Sequence, residues 1–310
     1  MLTISTINYR NWQATKLCIS DLVTACKGIE CRILVRDNSE VGETAELRRS
    51  LSDSPIPILY FESPDNPGFG EGHNRNFRAV SHGLEDVFLV VNNDIRIPDT
   101  RVIETMLAVC SPRRIVSCII RTAKHGDVWC AGGDINRLTG DIVGTRESFD
   151  GEVRFATFVP GCCMMVRSDL YQSLGGFDRD FFMYSEDLDF CMRARTMGAE
   201  VVVVNLPIIH EVGSGEKGLY SDLYLYEGTK NRLICQQRHR LGVAPIRYVY
   251  FVLKYGLLRS LQLAVYSPAP RKQIHAAWRG IFDGYFETKR SRPRLPNDGS
   301  QSQAHYEQIK

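Results

Sequence analysis

The stretch that decides the fold is residues 2–37, which read LTISTINYRNWQATKLCISDLVTACKGIECRILVRD. This stretch begins with an apolar, β-branched run at 2–7, continues with a helix-like segment at 11–27 and returns to an apolar run at 32–36. Asn11 is a suitable N-cap for the helix, and Gly28 lies just past its end. A strand, a helix and a second strand in this order predict parallel neighbours joined by a crossover helix.

The same alternation continues through the first two thirds of the chain. Further short apolar runs, typical of strands, lie at 56–61, 87–91, 115–120, 158–166 and 201–204. Helix-like segments lie at 72–82 and 100–110. The pattern predicts an α/β fold with an open, mainly parallel sheet flanked by helices. In such sheets ligands bind beyond the carboxyl ends of the strands, so polar residues that follow strands are the first candidates for a site.

Composition and charge separate the chain into two regions. Apolar residues make up 44% and charged residues 24% of the 310 residues, which is ordinary for a globular protein. Residues 228–310 contain 15 Lys and Arg against 4 Asp and Glu, whereas residues 1–227 contain 23 and 32. An acidic body with a basic tail indicates two functional surfaces. We expect no nucleic-acid partner, and a phosphate-bearing ligand of the acidic body requires a metal ion.

The cysteines and the apolar runs bear on location. The ten cysteines form no CxxC pair and lie mostly in apolar runs, which predicts buried, reduced thiols and a reducing compartment. The first residues do not show the basic segment and apolar run of a secretory signal, and the body has no apolar run long enough to span a bilayer. We therefore expect a cytoplasmic protein.

Polar residues cluster where four of the predicted strands end. These clusters are Asn8-Tyr-Arg, Asp37-Asn-Ser39, residues 64–74 and Asn92-Asn-Asp94. The glycines at 68, 70 and 72 do not form a dinucleotide fingerprint, since that motif needs another glycine where His73 stands, and no GxxxxGK[ST] motif occurs. A turn remains that lets backbone approach a ligand closely.

Two residues at strand ends are candidate metal ligands. Asp94 follows the apolar run 87–91 and is flanked by amides, an arrangement suited to Mg²⁺ or Mn²⁺. The alternative is a turn-forming Asp ahead of Pro98. His210 ends a long apolar run and is either a structural histidine or a second ligand.

The third candidate cluster contains adjacent acids. Ser185 is a predicted N-cap, and Glu186 and Asp187 fall in the first turn of the helix that follows, where the helix dipole alone favours acids. Asp189 and Arg193 have the i,i+4 spacing of a structural pair. The aromatic-rich segment 181–184 before them could wall a sugar-sized cleft, and a carboxylate at its mouth could accept a proton from a hydroxyl.

Together these segments resemble a family 2 glycosyltransferase with the GT-A fold, closest in pattern to rhamnosyltransferase-like enzymes. The matching segments occur in the family's order and cover residues 2–215: they are 6–9, 35–39, 66–74, 89–94, 160–167, 175–178, 181–189 and His210.

The resemblance implies a role for each matching residue. Asp187 corresponds to the catalytic base, with Glu186 beside it touching donor or acceptor sugar. Asp94 stands where the family's DXD motif ends and would bind a divalent metal together with His210; the motif here reads Asn92-Asn-Asp94, so a single carboxylate would carry the ion. The expected nucleotide-sugar contacts are Thr6, Asn8, Asp37, Ser39, Asn66, Gly70, Asn74, Asn93 and Gly161.

The implied reaction is a single inverting displacement. A hexose, rhamnose or another, moves from a dTDP- or UDP-linked donor to a hydroxyl of a glycan or lipid-linked glycan, in the synthesis of cell-surface polysaccharide, lipopolysaccharide or glycolipid. Two rival classes are weighed against it. A nucleotidyltransferase acting on sugar phosphates usually has a Gly-rich basic loop after its first strand, which Asn8-Tyr-Arg is not. A non-catalytic nucleotide-sugar-binding relative would not need Asp94, Asp187 and His210 together.

The resemblance fades after residue 215, where we expect a basic, mainly helical extension at 216–310 with a disordered end. Arg240, Arg247 and Lys254 recur every seven residues and are predicted to share one face of a helix over 241–266. Basic amphipathic segments with aromatic residues can lie in a membrane interface, here on the inner face of the membrane. Packing on the catalytic domain, or on another subunit of a homo-oligomer, is the alternative, and the sequence does not choose between them.

Overall fold

The structure is a computed structural model that describes residues 1–211 and 220–290, with side chains as far as residue 287. Its strands are β1 (Leu2–Asn8), β2 (Cys31–Asp37), β3 (Ile58–Glu62), β4 (Val87–Asn92), β5 (Ile95–Arg96), β6 (Arg114–Thr122), β7 (Val128–Cys130), β8 (Gly133–Ile135), β9 (Ile142–Gly144), β10 (Val153–Ala156), β11 (Cys163–Arg167) and β12 (Glu200–His210).

The helices follow the same order along the chain. They are α1 (Trp12–Ala25), α2 (Thr44–Ser50), α3 (Phe69–Arg78), α4 (Arg101–Val109), α5 (Ser168–Ser173), α6 (Glu186–Thr196), α7 (Thr229–Arg238), α8 (Ala244–Phe251), α9 (Arg259–Tyr266) and α10 (Pro270–Arg290). A π-helical segment, Tyr224–Gly228, leads into α7, and a second one, Val252–Leu258, joins α8 to α9.

The large sheet has the strand order β10-β12-β6-β11-β4-β1-β2-β3, with β5 and β7 paired at its margin. β1 runs parallel to both β2 and β4, β2 to β3, and β6 to β12. β11 is antiparallel to its neighbours β4 and β6. The predicted mainly parallel sheet is confirmed, and the carboxyl ends of β4, β1 and β2 lie side by side.

Side chains of the central strands alternate between two cores. In β4, Leu89 and Val91 pack into the core that contains α1 and α4, while Phe88 and Val90 pack into the core that contains Tyr171 and Phe190. All ten cysteines are free thiols and nine of them are buried, as predicted.

The predicted elements are present, with shifted ends. The run 158–166 is a strand only from Cys163 onward, and its first part forms the turn that carries Gly161. α3 begins at Phe69, three residues before the predicted start. Gly68 precedes it with φ 85°, and a Cβ there would lie 2.1 Å from the Phe182 carbonyl oxygen, so this turn requires glycine.

The C-terminal region is helical, as predicted, and α10 packs against α7 and α9. The predicted boundary after residue 215 lies outside the described residues. The expectation of one basic face over 241–266 is wrong: Arg240 precedes α8 with φ 52°, and the Arg247 side chain is buried. Within 1–211 and 220–290, no helix is both long and apolar enough to cross a membrane.

Candidate active site

A chain of polar side chains crosses the rim where β4, β1 and β2 end. Asn93 donates from its amide to the Thr15 hydroxyl at 2.9 Å, and Thr15 donates to Asn8 Oδ1 at 2.6 Å. The Asn8 amide donates in turn to Asp37 Oδ1 at 3.0 Å and to Glu43 Oε2 at 2.8 Å. The structure therefore brings together three predicted contacts, Asn8, Asp37 and Asn93. Thr15 and Glu43 were not predicted, because both lie in helices or turns that meet the rim only through folding.

Asp37 organises the loop that follows β2. Its Oδ1 accepts from the Ser39 N–H at 3.0 Å, and its Oδ2 accepts from the Glu43 N–H at 2.5 Å. The Ser39 hydroxyl accepts from the Arg10 N–H at 2.8 Å, so this loop is tied to the one after β1. Thr6 is fully buried beneath the rim, and its hydroxyl oxygen has no hydrogen-bond partner among the described residues.

The glycine-rich turn closes the rim on the β2 side. Asn66 has φ 39°, and its Oδ1 accepts from the Asn38 amide at 3.3 Å. A Cβ on Gly70 would lie 2.8 Å from Phe177 Cβ, so this glycine allows α3 to approach the segment that leads to Glu186.

Asn74 faces away from the rim into the packing of α3. Its Oδ1 accepts from the Tyr171 hydroxyl at 2.7 Å and from the Phe177 N–H at 2.9 Å. Its amide donates to the Phe177 carbonyl at 2.8 Å and to Glu71 at 3.1 Å. The predicted contact of Asn74 with a phosphate would require some of these hydrogen bonds to break, since all four positions of its amide group are occupied.

The two predicted metal ligands meet at the end of β12. Ile95 of β5 pairs with His210, which places Asp94 beside the imidazole. His210 Nε2 lies 3.1 Å from Asp94 Oδ1 and accepts from the Asn92 amide at 3.1 Å. Asp94 Oδ1 is buried and has no hydrogen-bond partner among the described residues.

This pair fits a divalent cation. Two ligand atoms about 2.1 Å from a metal and at right angles to each other are roughly 3 Å apart, close to the 3.1 Å between Asp94 Oδ1 and His210 Nε2. A buried carboxylate oxygen without a partner is costly unless a cation or donor compensates it. The Asp94 side chain is 27% exposed, so the site is open to solvent.

A second group of residues of the kinds that bind metals brings together Asp189 of α6, Cys235 and His239, whose ligand atoms lie within 4.8 Å of one another. Asp189 Oδ2 accepts from Arg193 at 2.7 Å, which confirms the predicted pair, and Oδ1 accepts from Arg238 at 3.1 Å and His239 at 2.9 Å. Burial alone would raise the pKa of Asp189, but these partners outweigh it and hold the pKa below its usual range. Two guanidinium groups already neutralise this carboxylate and would repel a cation, so we assign the group to structure.

The adjacent acids stand at the start of α6. Tyr184 and Ser185 both have left-handed backbone conformations, with φ 70° and 69°. Ser185 occupies the N-cap position as predicted, but its side chain makes no capping hydrogen bond. Consecutive left-handed residues other than glycine are strained, and such strain is concentrated at functional sites.

Asp187 is held by backbone donors, whereas Glu186 is not. Asp187 Oδ2 accepts from the Gly161 N–H at 2.9 Å and Oδ1 from the Leu188 N–H at 2.7 Å. Burial raises the pKa of Asp187, while these donors and the Arg232 charge lower it in part. Glu186 is buried, and its Oε2 has no hydrogen-bond partner in the described part of the chain. Burial, reinforced by the Asp187 charge, raises the pKa of Glu186 well above its usual value. Perturbed carboxyls of this kind are typical of active sites.

The turn at Gly161 and Cys162 joins the acids to the predicted metal ligands. The Asn92 N–H donates to the Cys162 carbonyl at 3.0 Å, and the preceding residue, Gly161, donates to Asp187. Burial raises the pKa of the Cys162 thiol, and both Asp187 and Asp94 are among the charged neighbours that raise it further. The base candidate and the metal-ligand candidate therefore flank one turn at the same rim.

Aromatic side chains wall the space beside the acids. The Phe69 ring would lie 3.1 Å from a Cβ on Gly161, and the Phe69 N–H donates to the Phe182 carbonyl at 3.0 Å. Tyr184 meets Tyr224 edge to face with ring centroids 5.1 Å apart. The aromatic wall was predicted from residues 181–184, but the contribution of Tyr224 from the C-terminal region was not.

A GT-A sheet with carboxylates at this rim defines the class of protein: a glycosyltransferase that acts on nucleotide sugars. Residues 88–279 match the model of Glycosyl transferase family group 2, and the chain belongs to that family. The match begins in β4 and extends into α10, beyond residue 215.

Curated relatives and solved structures agree with this assignment. The low-salt glycan biosynthesis hexosyltransferase Agl10 of Haloferax volcanii is 24% identical over 246 residues, 75% of this chain and 74% of that protein. The O-antigen biosynthesis protein RfbC of Myxococcus xanthus is 25% identical over 182 residues, 55% of this chain but 14% of that protein. The structure of the mannosyltransferase PcManGT of Pyrobaculum calidifontis, in complex with GDP-Man and Mn²⁺, is similar in fold, with a TM-score of 0.56 and 14% identity over 93% of this chain and 86% of that one.

Proposed function

We propose that this glycosyltransferase inverts the anomeric carbon and moves a hexose, rhamnose or another, from a dTDP- or UDP-linked donor to an acceptor hydroxyl. The observation that best supports this is the turn at Gly161, whose N–H orients Asp187 while the next residue binds the strand end that leads to Asp94. A base and a metal-held diphosphate at one rim are the two elements that the displacement needs.

The donor would lie along the rim, with its base and ribose over Asn8, Asp37, Ser39 and Thr6. Asn66, Gly70 and Asn93 would border the nucleoside and first phosphate, and Gly161 would form the floor under the sugar. Asp37 and Glu43 offer acceptor oxygens, which suit the N–H and hydroxyl groups of a base and a ribose.

Asp94 and His210 would hold Mg²⁺ or Mn²⁺, with the Asn92 amide fixing the imidazole. A cation bound there neutralises charge on a leaving diphosphate and allows an acidic domain to bind it. The mannosyltransferase with GDP-Man and Mn²⁺ supports this choice of cofactor.

Asp187 would accept the proton of the acceptor hydroxyl. The N–H groups of Gly161 and Leu188 fix the orientation of its carboxylate. Glu186, beside it, would contact a sugar hydroxyl, and burial raises the pKa of its carboxyl group, which favours the form that donates a hydrogen bond. Two neighbouring carboxyls with different environments can thus play different parts.

The acceptor would be a glycan or lipid-linked glycan, in keeping with the glycan and O-antigen relatives. We place the enzyme in the cytoplasm, peripheral on the inner face of the membrane, and keep the division into a catalytic region over 1–215 and an extension over 216–310. Self-association remains compatible with this arrangement.

A thermal-shift panel tests the donor assignment. The intact protein is mixed with Mn²⁺ and with UDP-, dTDP- or GDP-sugars. A donor at roughly 100 times its Kd stabilises the folded state by about 2.7 kcal/mol, which raises Tm by about 5 °C in a chain of this size. We expect this rise with a dTDP- or UDP-sugar. No rise with any donor would contradict the proposal, and a rise without sugar transfer to any glycan would favour a non-catalytic relative.

A further inference from the structure

The helical run over 244–266 carries an apolar stripe on its outer side. Val249, Leu253, Leu257, Leu261 and Val265 are spaced four residues apart, and each is between 49% and 72% exposed. This spacing keeps them on one face through α8, the π-helical segment and α9, a length of roughly 20 Å. Isolated exposed apolar residues are ordinary, but a continuous row marks an interaction surface.

On its inner side, the same run buries Phe251 and Leu263 and is anchored to the rest of the chain by polar contacts. Asp141, in the turn between β8 and β9, accepts hydrogen bonds from Tyr255 at 2.7 Å, Tyr250 at 3.2 Å and the Lys254 ammonium. Arg247 donates to the Leu241 carbonyl at 2.8 Å. Arg247 and Lys254, which were predicted to face a membrane, therefore hold the run to its own chain. With these cations turned inward, the apolar stripe of the run faces outward.

α10 extends this outer surface. Phe282 is 63% exposed and, with Val252 and Trp278, lines an apolar groove of about 960 Å³ between α8 and α10. Tyr266, at the end of the stripe, is 74% exposed, and the exposed Arg271 is the second residue of α10. An exposed aromatic residue beside a cation is typical of segments that lie in a membrane interface.

Charge distinguishes a lipid surface from a second copy of the chain. Residues 241–290 contain eight Lys and Arg against two Asp and Glu. Arg247 and Lys254 are held against the rest of the chain, whereas Arg271, Lys272 and Arg279 of α10 are exposed. Two copies of this face would bring like charges together, whereas an anionic bilayer offers the opposite charge and a medium for the stripe.

We propose that the outer face of α8–α9, continued by Phe282, is a docking surface for an anionic membrane, with the stripe from Val249 to Val265 inserted at the interface. This rests on the proposed placement at the membrane and names the surface and the lipid chemistry. Seated this way, the enzyme would keep its acceptor-binding rim beside a lipid-linked substrate without a spanning helix.

Vesicle flotation of the full chain tests the proposal. The probes are vesicles of equimolar phosphatidylglycerol and phosphatidylcholine, and vesicles of phosphatidylcholine alone. We compare the wild type with Leu257→Glu/Leu261→Glu. The matched control is Leu84→Glu/Phe155→Glu, which adds the same charge at residues that are 71% and 61% exposed outside the C-terminal helices.

Wild type and control should float with the phosphatidylglycerol vesicles and bind the neutral ones less. The stripe variant should bind at least roughly tenfold less. A wild type that stays in solution, or a stripe variant that binds as well as the control, would overturn the proposal. Light scattering that shows a wild-type dimer and a monomeric stripe variant would assign the surface to self-association. Donor-induced thermal shifts, measured on the same proteins, test the proposed catalytic function separately.

Discussion

Asp187 is the residue whose surroundings most favour proton transfer. Two backbone N–H groups orient it, and its neighbour Glu186 lacks such donors. Asp187→Asn keeps the size and most hydrogen bonds of the side chain but cannot accept a proton. We expect turnover to fall by about two to four orders of magnitude, the usual contribution of a general base. The donor Kd should hardly change, because the base acts on the acceptor in the transition state.

Release of nucleoside diphosphate in the presence of a glycan acceptor measures this effect. The control is Asp178→Asn, since Asp178 bonds Arg238 at 2.9 Å and is not oriented toward Gly161. If the Asp187 variant kept near-normal turnover and the Glu186→Gln protein were inactive, the catalytic base would be assigned to Glu186 instead of Asp187.

Glu186 should make the stability of the protein depend on pH. Burial raises the pKa of its carboxyl group in the folded state well above that in the unfolded state. Its stabilising contribution is therefore complete below the unfolded pKa and is lost as pH rises toward the folded pKa. Glu186→Gln removes this loss, so the variant should gain about 1 kcal/mol or more relative to wild type between pH 5 and pH 8.

Urea unfolding at both pH values measures the difference. A gap between the two proteins that stays constant from pH 5 to pH 8 would show that Glu186 does not titrate differently on folding. The control is Glu200→Gln, because Glu200 lies at the exposed start of β12.

The sequence singles out Asp94, Asp187 and His210 as candidate site residues because each lies at the end of a strand or at the start of a helix. Such positions can be predicted from the local sequence pattern. Asp94 and His210 do meet, although they are far apart in the chain. Local pattern has no signal for Glu43 or Tyr224, whose places at the site depend on how a loop and a distant helix pack. The predicted role of Asn74 stays a prediction, and the sequence does not show that tertiary packing occupies its side chain.

At the scale of elements, the turn between β8 and β9 binds the C-terminal helices to the rest of the chain through Asp141. Asp141 is buried, and Arg232 of α7 also bonds it, at 3.3 Å. Its partners outweigh the effect of burial and lower the pKa of Asp141. Asp141→Asn leaves these cations without their counter-charge and should cost about 1–3 kcal/mol of folding free energy, less than a fully buried pair because Lys254 is partly exposed.

Urea denaturation followed by circular dichroism tests this contribution. Asp134→Asn is the matched control, since Asp134 lies on the same hairpin, is exposed and bonds Thr157 alone among the described contacts. Equal midpoints for the two variants would show that Asp141 does not hold the helices in place.

Elements with long, periodic hydrophobic patterns can be predicted from the sequence. Features that depend on tertiary contacts cannot. The strands β1, β2 and β4 follow their apolar runs. The start of β11 does not, because residues 158–162 are apolar yet turn to place Gly161 against Asp187. The orientation of the run over 244–266 could not be predicted from the sequence either. Its regularly spaced cations face inward because folding brings Asp141 opposite Lys254.

For the whole molecule, the site depends on parts of the chain from both ends. In the proposed site, the β1–β2–β4 rim would bind the donor, α6 would provide the acids, and the region after residue 220 would add Tyr224 and Arg232. The family match over 88–279 begins after β1 and β2 and covers β4, α6 and the helices as far as α10. We therefore expect donor binding to require the folded C-terminal helices as well as the sheet.

The central claim is that nucleotide binding is linked to a metal at Asp94, and calorimetry tests it most directly. UDP or dTDP is titrated into wild type and Asp94→Ala, each with Mn²⁺ and with EDTA. We expect wild type to bind at least tenfold more tightly with Mn²⁺ than with EDTA, a difference of about 1.4 kcal/mol or more, and Asp94→Ala to lose this dependence. Equal affinity in all four titrations would contradict it.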